Sequence, residues 1–160
     1  MIPLHDLADT WSSIYSQSPA IKSAIAFTHI GGLVGGGGCA IAADRTTLRA
    51  LRRGQAALDH ELEHLHSIHL LVIVGLTLVV ASGLLLMFAD LDAYLSATVF
   101  WIKMAMVVAL LANGALVMRG GRRTHAGHPD GPRLLKFAAI ASLTLWFGTT
   151  LLGAVLPNAL

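Results

Sequence analysis

Apolar residues run through this chain in four long blocks, roughly residues 21–43, 68–89, 94–118 and 134–156, separated by shorter polar stretches. Crossing a ~30 Å hydrocarbon core takes about 20 helical residues, and each block is long enough. The pattern predicts an all-α polytopic membrane protein, with residues 1–160 forming a single integral membrane domain. The connection between the second and third blocks is only Asp90-Leu91-Asp92. So short a turn makes those helices antiparallel neighbours, and a four-transmembrane-helix up-down bundle is the simplest arrangement. Ahead of the first block, Leu4, Leu7, Trp11 and Ile14 recur at helical spacing, which predicts a short N-terminal interfacial helix. Asp6 and Asp9, with no basic segment before them, argue against a signal peptide. Ser18-Pro19 reads as the N-cap and first residue of the first long helix.

Composition strengthens this picture. The chain is 55% hydrophobic and 12% charged, with a mean hydropathy of +0.69, which is not a soluble globular profile. The formal charge of +2 is explained by where the bases lie. Arg45, Arg49, Arg52 and Arg53 occupy the first connection, and Arg119, Arg122, Arg123, Arg133 and Lys136 surround the third. The second connection has no base, so both basic connections are expected on the cytoplasmic side and both termini outside. The basic balance reflects topology and implies no nucleic acid partner; the lipid bilayer is the expected surrounding. Trp11, Tyr15, Tyr94 and Trp101 then fall at or near the outer side, as an aromatic belt would. The single cysteine, Cys39, excludes an internal disulfide.

The first block carries the most distinctive pattern. His29 is followed by six glycines within eight residues, Gly31, Gly32 and Gly35 to Gly38. Glycine weakens an isolated helix, but in a bilayer small residues allow helices to pack backbone to backbone. His29, Gly32 and Gly36 share one helical face, so the histidine is expected where helices meet. An ionisable side chain at that depth is a functional candidate. Two roles are open to it: a metal, haem or proton-transfer site, or a hydrogen bond to another helix through Thr144, Thr149 or Thr150. Lys103 lies in the third block at nearly the same depth, ~14 Å from the outer edge against ~12 Å for His29. It either snorkels toward Asp90 or Asp92 or neutralises an anion. No carboxylate is expected deep within any span.

A second histidine group, His60, His64, His66 and His69, leads into the second block. His60 to His64 matches the H-E-x-x-H zinc pattern, but the stretch is charged, interfacial and without an obvious third ligand, so a solvated juxtamembrane helix is the better account. A metal patch including His66 and His69, completed by His125 and His128, is the other reading. A haem shared by His29 and His69 is disfavoured, because His29 lies ~22 Å from the edge at which His69 enters. A second ligand would instead be Lys103, Met104, Met106, water or His29 of another subunit. Copper held by His29 and methionines is a further option. Asn113-Gly114, Ser82-Gly83 and Gly148/Gly153 read as small or polar residues at helix contacts.

With Phe27-Thr28-His29-Ile30-Gly31-Gly32 and Phe100-Trp101-Ile102-Lys103 in place, the chain resembles small bacterial four-helix membrane proteins. That group includes the copper-resistance D-type domains and the membrane protoporphyrinogen oxidases. The resemblance rests on a histidine in the first span followed by small residues, a lysine in a later span and a basic first loop. It implies a bacterial inner-membrane protein that binds haem b or a related tetrapyrrole and takes part in membrane redox chemistry or electron transfer. His29 and Lys103 are the residues carried over; Gly32 and Gly36 would flank the cofactor. The alternative is a non-catalytic accessory subunit of a larger membrane complex, or a homo-oligomer, assembled through the glycine face. Copper or zinc binding or transport is a third reading.

Overall fold

The computed structural model describes residues 4–159, with the side chains of Leu4, Gln55, residues 59–67 and His69 excepted. Among the described residues there is no strand. Helix α1 spans Leu4–Gln17 and α2 Pro19–Gly32; a π-helical turn, Leu33–Gly37, joins α2 to α3, Gly38–Arg53. Then follow α4 (Gln55–Ala89), the short α5 (Leu91–Ser96), α6 (Thr98–His125) and α7 (Gly131–Val155), which closes in a 3-10 turn at Leu156–Asn158. Among the described residues, four helical stretches are long and apolar enough to cross a membrane: Pro19–Arg53, Leu70–Ala89, Thr98–His125 and Gly131–Asn158.

Local chemistry sets the boundaries. Ser18 caps α2, its hydroxyl accepting from the Ile21 amide at 3.3 Å, with Pro19 next in the chain, as the sequence predicts. The first basic connection is not a loop. α3 carries Arg45, Arg49, Arg52 and Arg53 in regular helix, and the chain reverses at Gly54, where φ is +103°. Hydropathy marks where an apolar span ends, whereas arginine is a good helix former and lets the helix run on. The third long helix likewise begins at Thr98 rather than Tyr94, because α5 ends at Ser96 and Ala97 is in extended backbone. At the far end of α6, Gly127 (φ +72°) closes a Schellman motif: its amide bonds to the Thr124 carbonyl, and that of His128 to the Arg123 carbonyl. Arg123 and Asp130 form an ion pair across that turn.

Packing makes two antiparallel hairpins. In the first, the continuous helix α2–π–α3 lies along α4; in the second, α6 lies along α7. The hairpins are joined chiefly through α3 against α7, and α4 scarcely touches α6. α2 packs on α4 and α1 but not appreciably on α6 or α7. At the aromatic end, where Trp11, Tyr94 and Trp101 lie, Met87 of α4 packs against the cluster of Ala97, Phe100 and Leu156, so the hairpins also meet there.

The glycine face explains the first hairpin. A Cβ on Gly32 would meet the Gly75 carbonyl oxygen at 2.8 Å, and one on Gly36 would meet the Gly75 Cα at 2.8 Å. Backbone touches backbone there, which only glycine allows. Gly32 and Gly36 thus serve contact within the chain, with α4. The extra residue of the π turn shifts the buried face. Beyond it Gly37 is placed under the Trp146 ring of α7, 3.0 Å from where its Cβ would be.

The outside of the molecule is apolar on every long helix: Phe27, Val34, Val108, Phe137 and Phe147 are each 65–78% exposed. A water-soluble surface does not carry so many exposed large hydrophobics. α1 is helical and lies against the aromatic end of α4. The Trp11 indole donates to the Leu85 carbonyl and the Ser12 hydroxyl to the Ala89 carbonyl, both at 2.8 Å. Ala89 is the last residue of α4, so Ser12 satisfies an acceptor the helix cannot. Ala8 is the buried contact of α1, whereas Leu7 and Ile14 face outward.

Candidate functional site

His29 sits where the hairpin register puts it. Moving two turns toward the aromatic end from the Gly36–Gly75 crossing brings His29 opposite Ser82 on α4. Their side chains are hydrogen-bonded, His29 Nδ1 to Ser82 Oγ at 2.9 Å. The hydrogen bond to another helix is therefore present, with Ser82 as its partner, whereas Thr144, Thr149 and Thr150 are bonded to carbonyls of their own helix. The reason is geometric: α2 abuts α4, not α7.

The bond also favours one tautomer. Ser82 is buried and has one hydroxyl proton, which it donates to the Leu78 carbonyl at 2.5 Å. In the tautomer that complements this bond, His29 Nδ1 donates to Ser82 Oγ and Nε2 keeps its lone pair. Gly83 leaves room for the ring: a Cβ there would lie 3.4 Å from His29 Cε1. Ser82 and Gly83, read from sequence as packing residues, are the floor and orienting partner of the histidine.

Lys103 lies on α6, half-buried, with Nζ against α7: a Cβ on Gly153 would sit 3.2 Å from it. Among the described residues the only ion pair is Arg123–Asp130, so the ammonium is not paired with Asp90 or Asp92. It is close enough to His29 to interact with it electrostatically. The two residues belong to α2 and α6, helices that hardly touch. Met104 packs beside Phe100 and Leu156, and Met106 covers Gly148, so both methionines fill helix contacts.

A second polar centre escaped the sequence reading. Asp44, expected to mark the end of the first span, lies inside a continuous helix and is only 6% exposed. It lines a cavity of about 810 Å³ between α3, α4, α6 and α7, together with Ser142 and Trp146. Arg122 and His125 line the same cavity. Neither His29 nor Lys103 lines it; those two lie nearer the aromatic end. The signal available in the sequence was spacing, since Gly37, Ala40, Asp44 and Thr47 recur on one helical face and all are buried.

The side chains of His60, His64, His66 and His69 fall outside the described residues. Among the described ones, no group of three or more histidine, cysteine, aspartate or glutamate side chains is placed to hold a metal ion. Compared with protein-family models, with curated proteins and with solved structures, the chain finds no match.

Proposed function

We propose that this chain is a multi-pass protein of the bacterial inner membrane that binds haem b or a related tetrapyrrole and takes part in membrane redox chemistry. The observation that carries the reading is the His29–Ser82 pair: an imidazole fixed through Nδ1 by a hydrogen bond in the apolar half of a helical protein. The surrounding residues fit such a group. His29 would hold the metal, with Ser82 fixing its ring as a hydrogen-bonded supporting residue does in known metal sites. Lys103 would offset a carboxylate of the ligand, which removes the cost of an unpaired ammonium at that depth. α2, which carries His29, does not pack appreciably on α6, which carries Lys103. Bound haem would supply one-electron chemistry. The protein's part is to hold, orient and exclude water.

Titrating the purified protein with haem tests this. A saturable Soret shift at one haem per chain is expected, with reduced-minus-oxidised difference peaks. Only the broad signal of haem dissolved in detergent would sink the reading.

Orientation rests on the arginine distribution, with both basic connections in the cytoplasm and both termini outside. In a Cys39→Ala background, cysteines introduced near Asp92 should react with an impermeant maleimide in intact cells. Those near Arg122 should react only after permeabilisation, and the opposite pattern would reverse the topology.

A further inference from the structure

The Asp44 cavity is a second site, distinct from His29. Asp44 is more than nine-tenths buried; Ser142 lies against its carboxylate, and Oδ2 has no hydrogen-bond partner among the described residues. A buried oxygen without a donor costs free energy, so a site that retains one is built for something that supplies the donor. The cavity, about 810 Å³, lies within the range of small-molecule sites. Its walls are mainly apolar, with Val72, Leu76, Leu110 and Leu111 among them. It lies between α4 and α6, which make few contacts with each other. Trp146, seated on Gly37, adds an indole to the wall.

These features select a ligand class. Asp44 calls for a hydrogen-bond donor. A neutral hydroxyl supplies that donor without bringing a further charge, with its desolvation cost, into a mainly apolar cavity. Trp146 suits an aromatic ring, and the apolar walls suit an apolar tail. Asn113 lies on α6 near the level of Ser142, judged from its bond to the Ala138 carbonyl. That places the acid ~13 Å further in than Arg122, at 1.5 Å per residue, clear of the charged mouth. We propose that this cavity binds a quinol-class molecule, its ring beside Trp146 and one ring hydroxyl donating to Asp44 Oδ2.

The test uses the full-length chain in nanodiscs, with decylubiquinol as probe under anaerobic conditions and binding followed by calorimetry. Saturable binding near one per chain is expected, with Asp44→Asn weakening it about tenfold or more. Gly114 lines the cavity and has nothing within 4 Å of its would-be Cβ among the described residues. Gly114→Phe should therefore fill the cavity without disturbing the fold and block binding. Decylubiquinone lacks the hydroxyls and should bind more weakly than the quinol, with little response to Asp44→Asn. His29→Ala should leave the quinol titration unchanged, so this site stands or falls separately from the haem reading. Non-saturable uptake, equal binding of quinol and quinone, or parental affinity in both Asp44→Asn and Gly114→Phe would each overturn the proposal.

Discussion

Gly75→Leu is expected to prevent the first hairpin from closing. Gly75 faces Gly36 with backbone against backbone, and its own Cβ would lie 2.7 Å from the Gly36 nitrogen and 2.9 Å from the Gly32 carbonyl oxygen. Overpacking a core typically costs about 1–3 kcal/mol when side chains can shift. Here the obstacle is main chain, so the helices themselves must separate. The parting would also pull Ser82 away from His29, since both contacts belong to one register. A loss of at least ~3 kcal/mol corresponds to roughly 6–12 °C in melting temperature for a chain of this size. Gly31 and Gly35 sit on the same helix, but their would-be Cβ atoms meet nothing within 4 Å among the described residues. Gly31→Ala and Gly35→Ala should therefore be neutral or slightly stabilising, because alanine is the better helix former. Thermal unfolding in detergent, followed by circular dichroism, checks both. Equal melting temperatures for Gly75→Leu and Gly35→Ala would show that close approach at Gly75 does not hold the hairpin together.

The second large effect is expected at the histidine. His29→Ala should abolish saturable haem binding, because it removes the nitrogen that Ser82 orients. Lys103→Met should weaken binding about a hundredfold while keeping the fold, since methionine retains the apolar stem and removes the charge. The interaction lost is a charge-assisted contact in low dielectric, on the order of 2–3 kcal/mol. Lys103→Arg should restore only part of it, because a forked guanidinium does not replace a compact ammonium. If Lys103 served no ligand, removing an unpaired charge from an apolar setting would leave haem affinity unchanged and raise the melting temperature. Following the Soret band and melting temperature together separates these outcomes. Parental affinity in Lys103→Met would remove Lys103 from the site and leave His29 to be judged alone.

Much of the architecture was legible in the residues. The Ser18-Pro19 start of α2 and the shared face of His29, Gly32 and Gly36 follow from short-range chemistry and helical spacing, and both hold. The site was only half legible. His29 was identifiable because an ionisable group in an apolar run is conspicuous. Ser82 was not, because serine is common at helix contacts and its importance depends on which helix lies opposite. Asp44 was misread because it stands at the boundary between apolar and basic sequence, where a carboxylate usually meets water.

What the sequence by itself determined is therefore the set of elements: four apolar helices, their order, the basic and aromatic ends, and a glycine surface that demands a close neighbour. These depend on composition and on periods of a few residues. Only the tertiary structure decided that α4 is that neighbour, that α2 stands apart from α6 and α7, and that Asp44 is enclosed beside Ser142 rather than exposed. The physical reason is that helix pairing is set by small steric differences spread over distant residues, such as Gly36 meeting Gly75 and Gly37 meeting Trp146. No single stretch of the chain contains both halves of those contacts.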